Sequence, residues 1–118
     1  MKPKAESLAC TTAQASVNGI WHPLSTFGSE FNLNYTVTVD SPAISSSAVI
    51  TVHGTLVDVV KVGTPSAGAI FPLAAAGANP TGLAISSAQG TPVAAIMVSI
   101  AAVSSDITGT FRYLQQGV

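Results

Sequence analysis

The stretch Phe31-Asn32-Leu33-Asn34-Tyr35-Thr36-Val37-Thr38-Val39 decides the fold class. Its odd positions are aromatic or aliphatic, and its even positions are small amides and hydroxyls. Successive side chains of an extended chain point to opposite faces, so this alternation describes a strand with one dry face and one wet face. The strand is expected from Glu30 to Asp40. Asp40-Ser41-Pro42 ends it, because Pro42 brings no N–H to a ladder and Asp and Ser favour turns.

The chain on either side repeats the theme less regularly. In Ala48 to Val62, Ile50 and Val52 share one parity while Val57 and Val59 take the other, and Gly54 lies just before the switch. A glycine inside a strand pattern marks a bulge or a sharp bend, so one bent strand or two short ones divided near His53-Gly54-Thr55 are expected. Residues 63–92 are rich in Gly, Pro and Ala. Apolar pulses at Ala69-Ile70-Phe71 and Leu83-Ala84-Ile85 read as short strands between turns at Thr64-Pro65-Ser66-Ala67-Gly68 and Ala78-Asn79-Pro80-Thr81-Gly82. Val93 to Val103 carries Ile96, Val98 and Ile100 on one parity and Val93, Met97 and Val103 on the other. Its β-branched residues and flanking Pro92 and Ser104-Ser105 favour a strand buried on both faces over a helix. Ile107 to Leu114 alternates Ile107, Phe111 and Tyr113 with Thr108, Thr110 and Arg112. Several short strands without an amphipathic helix predict an all-β single-domain antiparallel β-sandwich, jelly-roll-like, spanning residues 8–118. The first seven residues, with Lys2, Pro3, Lys4 and Glu6 ahead of any periodic pattern, are expected as a flexible arm.

Composition narrows the function. At 118 residues the chain has room for one core. Charged residues make up 8% of it, where a soluble domain usually has about 25%. Serine, threonine, asparagine and glutamine supply the polarity instead, and the net charge is -1. A surface so poor in charge favours association, which suits a chain whose faces are covered in an assembly. The few basic groups leave no footprint for nucleic acid. No apolar run reaches the roughly 18 residues of a membrane-spanning helix, and the N-terminal segment lacks the apolar core of a signal peptide, so no membrane and no export are expected. The single Cys10 makes no internal disulfide and fits synthesis in a reducing host cytoplasm.

The residues that carry chemistry are sparse. His22, His53, Cys10 and five scattered carboxylates show no metal-ligand spacing, and no metal or cofactor is expected. No G-x-S-x-G elbow, P-loop or G-x-G-x-x-G is present. Glu30, Asp40, Asp58 and Asp106 fit strand ends and turns better than a paired-carboxylate site. Trp21-His22-Pro23-Leu24 is the most distinctive short stretch. An exposed tryptophan beside an imidazole forms a subunit-contact or sugar-stacking patch, whereas a buried Trp21 is the largest plug of the core.

The short charged arm Met1 to Glu6, the Ser/Thr/Ala/Gly-rich alternating strands and the closing Ile107-Thr108-Gly109-Thr110-Phe111-Arg112-Tyr113-Leu114-Gln115-Gln116-Gly117 together resemble small virion structural proteins of tailed bacteriophages. The likeness is to capsid decoration or cement proteins built on β-sandwiches. It implies a non-enzymatic virion component forming symmetric homotrimers that reinforce junctions of the major capsid protein or other virion proteins. Lys2, Lys4, Trp21 and His22 are then the expected subunit contacts. Proteins of the head-tail junction or tail look alike from sequence. The alternative is a carbohydrate-binding or adhesin-like module that stacks sugars on Trp21, Tyr35 or Tyr113.

Overall fold

Residues 32–39 of the alternating stretch form an inner strand of a two-sheet sandwich. The computed structural model describes residues 4–11, 16–24, 32–39, 48–77, 84–90, 92–101 and 107–116. These residues hold nine strands: β1 (Lys4–Cys10), β2 (Ser16–Asn18), β3 (His22–Pro23), β4 (Asn32–Val39), β5 (Val49–Thr55), β6 (Ile70–Gly77), β7 (Ala84–Gln89), β8 (Ala95–Ala101) and β9 (Ile107–Gln116). One helical turn, α1 (Val59–Val62), lies between β5 and β6.

Sheet A has the order β1-β9-β4-β7, and sheet B has the order β2-β8-β5-β6, with β3 also on β8. Every pairing is antiparallel. The pairs nest: β1 with β9, β2 and β3 with β8, β4 with β7, and β5 with β6. The chain thus runs like one long hairpin whose tip is the β5–β6 connection, wrapped so that alternate pairs fall in opposite sheets. The second partnerships of β9 with β4 and of β8 with β5 complete each sheet.

The inner faces follow from the alternation. Leu8 and Cys10 of β1, Leu33, Tyr35 and Val37 of β4, Ile85 of β7, and Ile107, Phe111 and Tyr113 of β9 face Ile50 and Val52 of β5 and Ile96, Val98 and Ile100 of β8 in one apolar cluster. Gly109 continues the inner row of β9, and a Cβ there would stand 3.4 Å from Ile100 Cδ1, so the opposite sheet occupies its side-chain space. β8 is buried on both faces over most of its length, as its all-apolar pattern requires.

Two expectations change, and the irregularity expected near Gly54 is present. Lys4 to Ser7 belong to β1, in register with Tyr113 to Thr110, so the expected arm is a sheet strand from Lys4 onward. The strand pays for its ordering with Leu8 and Cys10, whose burial against the core an isolated polar terminus would not gain. Val57 and Val59 form no second strand, because the chain leaves the sheet after Thr55. Asp58 caps α1 by accepting from the N–H groups of Val60 and Lys61, and Gly63, at a φ of 88°, ends it. Gly54 sits one residue beyond a register irregularity between Val52 and His53, and its missing side chain leaves room for Phe71 and Leu73, 3.0 and 3.2 Å from where a Cβ would stand. The turn expected at residues 78–82 lies outside the described residues.

Phe111 is fully buried at the centre of this packing. Phe111→Ala is expected to destabilise the fold by about 3–5 kcal/mol through lost burial and an unfilled cavity. A chemical-denaturation midpoint measured beside that of Thr108→Ala, at an exposed position of the same strand, checks this.

Candidate functional site

Where sheet A and sheet B meet along β1 and β3, the few charged groups of the chain are put to structural use. Glu6 lies on the inner parity of β1 with Leu8 and Cys10 and reaches across to the other sheet. The His22 Nε2 and Glu6 Oε1 atoms are 2.7 Å apart, and Ile20 N–H donates to Glu6 Oε2 at 2.9 Å. Gly19 makes this possible, since a Cβ there would stand 2.7 Å from the carboxylate. The His22 ring is buried edge-on against Tyr113, with centroids 5.1 Å apart, and against Phe111 at 5.6 Å. Phe111 and Tyr113 stack at 5.5 Å. Burial, and secondarily the nearby Glu6 carboxylate, push the Tyr113 phenol above its ordinary pKa.

His22 is therefore a clasp between the sheets, 9% exposed. Neighbouring side chains diverge along an extended segment, so Trp21 goes the other way. It is half-buried and lines a groove of about 420 Å³ with Ile20, Val59, Gly63, Thr64 and Met97. The core-plug reading of Trp21 gives way to this surface position. The chain also exposes large apolar side chains: Ile20, in the groove, is 64% exposed, and on or just before α1 Leu56 is 72%, Val60 75% and Val62 69% exposed. Lys4 is exposed at the start of β1, and Lys2 lies outside the described residues.

Sequence reasoning missed Glu6, Gly19 and the valines of α1. The signal for the valines was present in the bracket Asp58 to Gly63, an N-cap residue and a C-cap glycine around one turn, which marks helix rather than strand. Nothing in the sequence ties Glu6 to His22, because the pairing spans two sheets.

His53 lies on the outer face of sheet B, with its Nε2 2.9 Å from Ser99 Oγ. Burial holds the imidazole below its ordinary pKa of 6.5. No carboxylate lies within hydrogen-bonding reach of it among the described residues, so the pair lacks the group that would orient the ring as a general base. The other imidazole, His22, meets a carboxylate but no serine or threonine hydroxyl among the described residues. Tyr35 and Tyr113 are buried, at 2% and 9% exposure, so neither offers an open ring face beside Trp21 for stacking a sugar. Among the described residues no group of three or more His, Cys, Asp or Glu converges as a metal site, and no helix is long and apolar enough to cross a membrane.

The fold and its surfaces define an all-β sandwich with an apolar groove on one sheet. No protein-family model matches the chain, and no curated protein matches it in sequence.

Two outcomes are expected. Glu6→Ala leaves the Ile20 N–H and the His22 imidazole without their acceptor and lowers stability by about 1–3 kcal/mol, read from the denaturation midpoint. Because the folded protein resists protonating His53 while the unfolded chain binds that proton near pH 6.5, stability is full above this pH and falls as the pH drops below it. His53→Gln, which keeps a hydrogen-bonding group opposite Ser99, flattens that part of the profile of melting temperature against pH.

Proposed function

We propose that this chain is a non-enzymatic structural protein of a bacteriophage virion, a capsid decoration or cement protein that works by burying complementary surface against copies of itself and against the major capsid protein. The observation that carries the reading is the set of aliphatic side chains exposed in the Trp21 groove and on or just before α1. Ile20, Leu56, Val60 and Val62 stand in water on a chain whose charged fraction is 8%. Covering a Val, Leu or Ile side chain fully is worth about 1.5–3 kcal/mol, so leaving four of them open is a large standing incentive to associate. The chain's shortage of charge fits the same reading, since few ions would have to be desolvated in a contact.

The sandwich itself we read as a jelly roll. Supporting this is the nested pairing, which counts β2 and β3 as one interrupted strand and gives eight strands in two four-stranded sheets, the arrangement of two Greek keys common in capsid domains. A trimer is the oligomer that the resemblance to decoration proteins favours. Burial of Tyr35 and Tyr113 weighs against the carbohydrate-stacking alternative.

Light scattering at micromolar concentration is expected to return a homotrimer or a whole multiple of one, and the protein is expected to co-sediment with purified phage capsid shells. The double variant Val60→Asp, Val62→Asp, on two exposed positions of α1, should lose both while keeping its circular dichroism spectrum. A stable monomer that ignores capsid shells would overturn the reading.

A further inference from the structure

A sheet edge presents unpaired N–H and C=O groups, and natural proteins blunt such edges with charge, proline, bulges or short strands. Three of the four edges here are blunted. β1 carries Lys4 and Glu6. β2 and β3 are three and two residues long, and β3 includes Pro23. β6 contains Pro72 and pairs with β5 across an irregularity. The fourth, β7, is Ala-Ile-Ser-Ser-Ala-Gln. It has no charge and no proline, pairs without irregularity against Leu33 to Thr38, and has no ladder partner on its other side among the described residues. Ser86 and Ser87 are exposed.

We propose that β7 pairs antiparallel with β7 of a second copy of this chain, joining two A sheets into one across a twofold axis. A strand is self-complementary in this arrangement, because each copy offers the other the same alternation of donors and acceptors. With no Asp, Glu, Lys or Arg in β7, a copy meets no like charge. A foreign strand, by contrast, is selected by pockets for its side chains, and the serines that β7 exposes build none.

Geometry restricts the register. Opposed residues in an antiparallel pair share a face, and a twofold axis normal to the sheet returns each residue to the same face. Opposed residues therefore have equal parity, and the residue on the axis faces its own copy. The registers that overlap most of β7 put Ser86 or Ser87 there, and both keep Ile85 in the core of each sandwich.

Single cysteines at these positions test the proposal in the full chain, since the native Cys10 is buried. Directly opposed Cα atoms lie about 4.5–5.5 Å apart, within disulfide reach. Mild oxidation at micromolar concentration is expected to give a covalent dimer with Ser86→Cys or with Ser87→Cys, and not with Thr108→Cys, an exposed position on β9. Ser86→Lys is expected to raise the dimer Kd, by analytical ultracentrifugation, about tenfold or more. The proposal is overturned if neither cysteine exceeds the Thr108→Cys control, or if Ser86→Lys leaves the Kd within about twofold. The Val60→Asp, Val62→Asp variant keeps the cross-link in either case. Failure of the β7 contact and failure of the virion reading are thereby scored on different surfaces.

Discussion

The constraint on which the rest of this structure depends is that β9 must be dry on one face along its whole length. Ile107, Gly109, Phe111 and Tyr113 follow one another on that face, and β9 is hydrogen-bonded on both sides, to β1 and to β4. A strand paired on both sides has no free edge, so its inner residues are covered only if a second sheet lies over them. Ile100 packed over Gly109 and the His22 ring against Phe111 and Tyr113 are where that cover is closest. For a domain stable by about 5–15 kcal/mol, one residue such as Phe111 represents a sizeable share of the total.

The polar clasp at the sandwich edge follows from the same geometry. Two stacked sheets leave a seam on each side, and at the β1–β3 seam the described residues close it with Glu6 and His22 rather than with apolar side chains. Such a pair adds little as simple attraction, because both groups give up water to form it. Its value lies in direction: the carboxylate accepts from the imidazole of β3 and from a backbone N–H in the β2–β3 connection, and so sets how β2 and β3 sit against β1. The clasp also takes two of the chain's few ionisable groups out of the surface.

What remains on the outside is unusual for a free domain. The outer face of sheet A carries hydroxyls and amides around Arg112, aliphatic side chains stand exposed at Ile20, Leu56 and α1, and β7 lacks the devices that keep an edge from pairing. Each feature is ordinary alone. Together they describe a molecule whose surfaces are suited to contact with protein, and they draw the assembly reading from packing rather than from motifs.

Much of the fold was legible in the chain. The period-two alternation in residues 31–39 and 107–114 and the doubly apolar run near residues 95–101 are set by local geometry, since a strand's faces are decided by parity alone. The apolar pulses near Ile70 and Ile85 likewise marked strands. What parity does not carry is which strand lies beside which, or what one sheet places over the other. That is why Lys4 to Ser7 read as an arm until their pairing with β9 was seen, why Val57 to Val62 read as strand although Asp58 caps a helical turn there, and why Trp21 and His22, adjacent in sequence, parted to opposite faces. The sequence by itself determined the strands and their dry faces, because these depend on near neighbours along the chain. Only the tertiary structure decided the clasp, the exposed groove and the open edge, because each is made by residues that the nested pairing brings together from distant parts of the chain.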